Sequence, residues 1–128
     1  MTKKTDIESI DHIKLMVDTF YDNVREDQLL GPVFDSKIKD WNKHLANMYN
    51  FWESLLLQNP VYGGAPFAKH VGLPVNEEHF KTWTTLFDQT IDNLFQGPKA
   101  DEAKMRAGKI AMVFLTKLSQ MDLLKYPH

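Results

Sequence analysis

Apolar residues recur at three- and four-residue steps through most of this chain, which is the spacing of amphipathic helices. The first block has this spacing at Ile10, Ile13, Met16, Val17, Phe20, Tyr21 and Val24. Thr5 and Glu8 form a candidate capping box ahead of the block, which is expected to end near Asp27. The sequence therefore predicts a first helix with one apolar face.

A second block, from Asp40 to about Gln58, carries an apolar stripe that contains one histidine. The stripe consists of His44, Met48, Phe51 and Leu55, with Trp41, Leu45 and Trp52 beside it. Because residues three and four apart share a helix face, His44 is expected on a face that is otherwise apolar.

Glycines and prolines divide the second half of the chain. Gly63 and Gly64 argue against a long element there, and Pro66 is well placed as the first residue of a short helix through His70. Gly72 and Pro74 should stop that helix within about two turns. A short, sharply bounded helix would hold an imidazole rigidly.

Two further helices are expected after that segment. Asn76 is a good N-cap with Glu77 and Glu78 in the first turn, and Gly97 with Pro98 ends the helix. Its apolar stripe is Phe80, Trp83, Thr84, Phe87, Ile91 and Leu94. The last block carries Ala107, Ile110, Ala111, Phe114, Leu118 and Met121 on one side. No strand pattern is found, so the prediction is an all-α fold in one domain spanning residues 1–128.

The composition excludes several kinds of binding site. The chain is 43% hydrophobic and 12% aromatic with a net charge of -2, and it has no run of Lys and Arg suited to nucleic acid. It contains no cysteine, which excludes disulfides, thiolate metal sites and covalent haem attachment. The longest apolar run, Ile110 to Leu115, is too short to span a membrane. A soluble, cytoplasmic protein is expected.

Four side chains are candidates for chemistry. His70 on its short helix could be a metal ligand or a hydrogen-bonded histidine of ordinary structure. His44 and Tyr21 could converge on a ligand, or they could be amphipathic side chains at the edge of the core. The Trp83 indole is a donor only, so beside a ligand it could stabilise partial negative charge.

The chain resembles the group III truncated haemoglobins from about Ile10 to Leu124. Four segments in the right order carry the resemblance. They are Phe20-Tyr21 with Val24, Asp27, Leu29, Gly31-Pro32 and Phe34; Trp41 with His44, Phe51-Trp52 and Leu55-Leu56; Tyr62, Gly64, Pro66, His70, Leu73 and Pro74; and His79-Phe80 with Trp83 and Phe87. The paired glycines Gly63 and Gly64 are more typical of the other truncated groups.

The resemblance implies a shortened globin with helices packed two over two around non-covalent haem b. It implies that His70 is the proximal iron ligand and that Tyr21, His44 and Trp83 are the distal residues. Met48 and Phe51 would line the distal wall, while Phe67 and Leu73 would pack near the proximal side. Lys43 and Lys69 are candidates by position for the haem propionates.

The expected function is reversible binding of a diatomic ligand, foremost oxygen but also NO or CO, at five-coordinate iron in a monomer. An alternative is a peroxidase-like enzyme, or one that converts nitric oxide or reactive oxygen, in which His44 moves protons. No flavin or nicotinamide motif occurs, so such turnover would need a separate reductase. A third alternative is a haem-free helical interaction domain whose aromatic stripes are only core.

Overall fold

A computed structural model of the chain describes residues 4–59 and 75–125, with side chains through Leu118. These ranges contain five helices and no strand, which confirms the predicted all-α class. The helices are α1 (Ile10–Glu26), α2 (Leu30–Lys37), α3 (Trp41–Leu56), α4 (Glu77–Leu94) and α5 (Pro98–Lys125).

The predicted starts of α3 and α4 are confirmed by their caps. The Asp40 carboxylate accepts the backbone N–H of Lys43 at 3.1 Å. The Asn76 side chain accepts the N–H groups of Glu78 and His79 at 2.9 and 3.4 Å. His79 completes a capping box that the sequence analysis missed, because its Nδ1 accepts the N–H of Asn76 at 3.1 Å.

The predicted capping box of Thr5 and Glu8 is wrong. Ser9 caps α1 instead, since its Oγ accepts the N–H of His12 at 3.3 Å. The segment before α1 makes a contact with a part of the chain that is distant in sequence. The Asp6 carboxylate accepts the N–H groups of Lys99 and Ala100 at 2.9 and 2.8 Å and so caps α5. The cap of α1 is therefore local, while the segment before it caps a different helix.

Helix α2 was not predicted, because Gly31 and Pro32 resemble a helix break. Both lie in its first turn, where a missing N–H and a fixed φ are tolerated. The Asp27 carboxylate accepts the N–H groups of Leu29 and Leu30 at 3.0 and 2.9 Å. Gly31 is needed because a Cβ there would lie 2.6 Å from the carbonyl oxygen of Arg25.

Two helix pairs pack on each other to form the core. Helix α1 packs against α3, α4 packs against α5, and α1 contacts α4 between the pairs. Phe87 lies at this junction, stacked on Trp52 with ring centroids 5.0 Å apart and edge-on to Phe20 at 5.2 Å. In the part of the chain with described structure, no helix is both long and apolar enough to cross a membrane.

Candidate functional site

An apolar cavity of about 400 Å³ opens beside this core. Its walls come from all five helices and from the turn that joins α2 to α3. The lining side chains are Phe20, Tyr21, Leu30, Val33, Phe34, Lys37, Ile38, Lys39, Asp40, Lys43, His44, Asn47, Met48, Phe51, Trp52, Val75, His79, Phe80, Trp83, Ile110, Ala111 and Phe114. Its size is within the usual range for small-molecule and cofactor sites.

Tyr21 enters the cavity from α1. It is one of the buried core residues, and its ring contacts those of Phe20 and Phe34 with centroids 5.1 and 6.0 Å apart. Burial raises the pKa of its hydroxyl above the ordinary value of 10. The group therefore keeps its proton through the physiological pH range, and its hydroxyl can act as a hydrogen-bond donor.

His44 lines the same cavity from the first turn of α3. Its ring meets that of Tyr21 edge to face at 5.0 Å, and that of Trp41 at 5.8 Å. The three rings pack at steep mutual angles, 85° for Tyr21 with His44 and 88° for Trp41 with His44. This packing holds the imidazole against the tyrosine.

Trp83 lines the cavity from α4, and its orientation is set by two phenylalanines. The indole stacks on Phe87 with an interplanar angle of 14° and meets Phe20 at 89°. Stacking on one ring and edge contact with another leave little freedom for rotation. Its single N–H is thus a positioned donor in an apolar surrounding.

The structure brings together five of the residues that were named from the sequence. Tyr21, His44, Met48, Phe51 and Trp83 all line this cavity. The other three, Phe67, His70 and Leu73, lie outside the described residues, as does Lys69.

Positive side chains line the cavity from the end of α2 to the start of α3. Lys37, Lys39 and Lys43 are exposed residues that line it, with Asp40 as the acidic residue among them. Sequence analysis named Lys43 but missed Lys37 and Lys39. The close spacing of the three lysines around an N-cap was the signal that could have found them.

His79 was also missed as a lining residue. Its Nδ1 accepts the Asn76 N–H, and its place in the first turn of α4 could have been inferred from the predicted N-cap.

These residues fit the haem that the resemblance implies. Apolar and aromatic walls suit a planar macrocycle that must be kept from water, and the lysine ammonium groups suit its two acidic side chains. The donors Tyr21 and Trp83 and the imidazole of His44 supply the few polar groups. This composition matches an amphipathic, acidic, disc-shaped cofactor.

Comparison with known proteins was made on sequence and on structure. The family model described as bacterial-like globin matches residues 6–114. A group 3 truncated haemoglobin of Campylobacter jejuni is 33% identical over 111 residues, which cover 83% of this chain and 87% of that protein.

The solved structures that match this chain are also truncated haemoglobins. The crystal structure of the group III truncated haemoglobin from Campylobacter jejuni matches with a TM-score of 0.82 at 32% identity, covering 90% of this chain and 94% of that one. The truncated oxygen-avid haemoglobin from Bacillus subtilis matches with a TM-score of 0.73 at 23% identity, over 84% and 93%. The second likeness concerns the fold alone. Together these matches confirm the predicted truncated globin fold.

Proposed function

This chain belongs to the bacterial-like globins and, within them, to the group III truncated haemoglobins, and we propose that it binds a diatomic ligand, foremost oxygen, reversibly at haem b. One observation carries the proposal. Tyr21, His44 and Trp83 come from three different helices and line one apolar cavity. Such a cavity gives a small ligand a few polar contacts within a shell that excludes water.

Haem would supply a five-coordinate iron whose open position takes a diatomic gas. His70 is the residue we propose as its proximal ligand, through a neutral imidazole nitrogen. Met48 and Phe51 would cover the distal face, and Phe67 and Leu73 would pack on the proximal side.

The distal side chains would act as hydrogen-bond donors. A bound diatomic ligand that carries partial negative charge is stabilised by short, charge-assisted hydrogen bonds. The Tyr21 hydroxyl is proposed as the main donor because a phenol gives a short hydrogen bond to a ligand that carries negative charge. The Trp83 N–H would be a second donor, and both would slow release of the ligand.

The positive side chains of the cavity would hold the acidic groups of haem. Lys37, Lys39 and Lys43 are exposed, so each ion pair with a propionate would be worth little alone. Their sum would orient the cofactor more than it would tighten its binding.

An ultraviolet–visible spectrum tests the proposal. The purified protein is reconstituted with hemin and then reduced under carbon monoxide, beside His70→Ala and the control His12→Ala. His12 packs on Phe95 with centroids 5.5 Å apart and does not line the cavity. We expect a Soret band with a carbon monoxide shift that is weakened or lost in His70→Ala alone. Absence of stoichiometric haem uptake would overturn the proposal in favour of a haem-free interaction domain.

A peroxidase-like or nitric-oxide-converting activity is the second candidate. It is favoured by the imidazole of His44, which lines the cavity in contact with Tyr21 and could carry protons. Conversion of nitric oxide would need electrons from a separate reductase, whereas in the peroxidase-like reaction the dye being oxidised supplies them. Peroxide-dependent oxidation of a dye that falls at least about tenfold in His44→Leu would support it, and equal rates in both proteins would exclude a role for His44.

A further inference from the structure

A second cavity of about 410 Å³ lies between α1 and α3. We call it the α1–α3 cleft. Unlike the first cavity it is polar, and its walls carry Asp18, Asp22 and Arg25 of α1 and Trp41, Asn42 and Tyr49 of α3. The two acids and the arginine are exposed, so the cleft is open to water.

Tyr21 is the side chain that the two cavities have in common. Among the described residues it alone lines both, whereas Trp41 lines only the cleft and His44 only the apolar cavity. The three rings contact one another edge to face, with Tyr21 and Trp41 5.9 Å apart at 66°. These three rings therefore lie between the α1–α3 cleft and the apolar cavity.

We propose that the α1–α3 cleft is a second entrance to the distal cavity for water and small ligands, with Trp41 as the partition that controls it. The inference rests on the proposed function, since it concerns access to the ligand site. Trp41 is a positioning residue here, because it would act by covering Tyr21 rather than by contacting the ligand.

The need for such an entrance follows from the shape of the site. Haem would occupy the apolar cavity itself and would obstruct the distal side from that direction. The cleft reaches Tyr21 through residues of α1 and α3 alone. Its carboxylates, guanidinium and amide keep it hydrated.

Arg25 contacts the Trp41 ring and is itself held by an ion pair. Its guanidinium carbon lies 4.3 Å from the centroid of the Trp41 ring, and its Nε lies 3.5 Å from the carboxylate of Asp35 on α2. Both side chains of this ion pair are about half exposed, 48% and 53%, so the ion pair holds Arg25 only weakly against Trp41. Because Trp41 is only partly buried and Arg25 holds it weakly, its side chain can rotate.

The far wall of the cleft is fixed by a different contact. The Tyr49 hydroxyl donates to the Asp18 carboxylate, and Lys14 lies 5.9 Å from the centroid of the Tyr49 ring. This contact joins α1 to α3 on the side of the cleft away from Arg25. It keeps the helices in place while Trp41 moves.

Flash photolysis of the carbon monoxide complex gives the first test. The variants are Trp41→Ala, Trp41→Phe and Arg25→Gln, with Lys109→Gln as the control because Lys109 is exposed on α5 and lines neither cavity. Trp41→Ala should raise the bimolecular association rate constant at least about fivefold and lower the geminate fraction. Trp41→Phe and Arg25→Gln should give smaller changes, and Lys109→Gln none.

Crystal structures of the haem-free wild type and of Trp41→Ala, with xenon pressure in a second crystal of each, give a test that needs no bound haem. We expect ordered water or xenon to join the cleft to Tyr21 in the variant and not in the wild type. Unchanged rates in Trp41→Ala and Arg25→Gln with a normal Soret band, or a cleft still closed in the variant, would overturn the second entrance. Failure of all variants to take up haem would instead count against the proposed function, and the crystals would still decide on the partition.

Discussion

The rings of Tyr21 and His44 meet edge to face, with their centroids 5.0 Å apart and their planes at 85°. One ring comes from α1 and the other from α3, so the contact depends on how these two helices pack. It places a phenol and an imidazole on one wall of an apolar cavity. Burial raises the pKa of Tyr21, which leaves the phenol as a donor beside a group that can exchange protons.

Removal of the Tyr21 hydroxyl should accelerate oxygen release. Hydrogen bonds to groups that carry charge are worth about 1.5–3 kcal/mol, so Tyr21→Phe should raise the oxygen dissociation rate by about 10- to 100-fold. Stopped-flow displacement of oxygen by carbon monoxide measures this rate. Ser36→Ala is the control, because that hydroxyl donates to the Val33 carbonyl and Ser36 lines neither cavity. An unchanged rate in Tyr21→Phe would refute its role as the main donor.

Helices α3 and α4 could be predicted within about two residues because their signals are local. The structure confirms the predicted N-cap Asn76 of α4, and it shows that Asp40, where the second block was expected to begin, caps α3. Helix α2 could not be predicted in this way. A glycine and a proline in its first turn look like a break unless the neighbouring backbone of Arg25 is known.

The cavity was less accessible to pattern analysis than the helices. Periodicity places Tyr21 and Trp83 on the apolar faces of their helices, but it cannot show that α1 and α4 cross so that both side chains line one space. That convergence was expected from the family resemblance. Asp6 shows the same limit, since its partners Lys99 and Ala100 lie at the far end of the chain.

Loss of the positive side chains should speed haem loss. The double variant Lys37→Gln with Lys43→Gln should release haem about two- to fivefold faster at low salt, because surface ion pairs each contribute at most about 1 kcal/mol. The difference from wild type should shrink in 1 M salt, where the Debye length falls to about 3 Å. Transfer of haem to an excess of apomyoglobin measures the rate. Lys109 is an exposed α5 residue that does not line the cavity, so Lys109→Gln should leave the rate of haem loss unchanged. An equal increase of the rate in Lys109→Gln and in the double variant would argue against specific ion pairs.

The Asp6 carboxylate should stabilise the fold in a pH-dependent way. Burial acts to raise its pKa, but the N–H groups of Lys99, Ile7 and Ala100 and the Lys99 charge outweigh it and lower the pKa. Because the pKa is lower in the folded state, this stabilisation is present above the unfolded value near 3.8 and is lost as the pH falls through the folded value.

Asp6→Asn should therefore cost about 1–2 kcal/mol at pH 7 and less at pH 3, as measured by urea unfolding. Asp22→Asn changes an exposed acid for which no hydrogen bond to α5 is found, and it should cost less than about 0.5 kcal/mol at both pH values. An equal loss at pH 7 and pH 3 would contradict an ionic contribution from Asp6.

Gly97 should be among the least replaceable residues of the α4–α5 turn. Its φ is +146°, and a Cβ there would lie 2.6 Å from the Asp6 Cγ, which is itself fixed by two bonds to the start of α5. Gly97→Ala must strain the backbone and displace the carboxylate, so it should lower the free energy of unfolding by about 2–4 kcal/mol. Gly108→Ala is the matched control within α5, where nothing lies within 4 Å of the new Cβ, and it should stabilise by about 0.5–1 kcal/mol.

Because part of the Gly97→Ala cost is displacement of Asp6, the cost should be smaller in an Asp6→Asn background, and a double-mutant cycle by urea unfolding measures the difference. Full additivity of the two changes would mean that the N-terminal segment and the α4–α5 turn are not coupled.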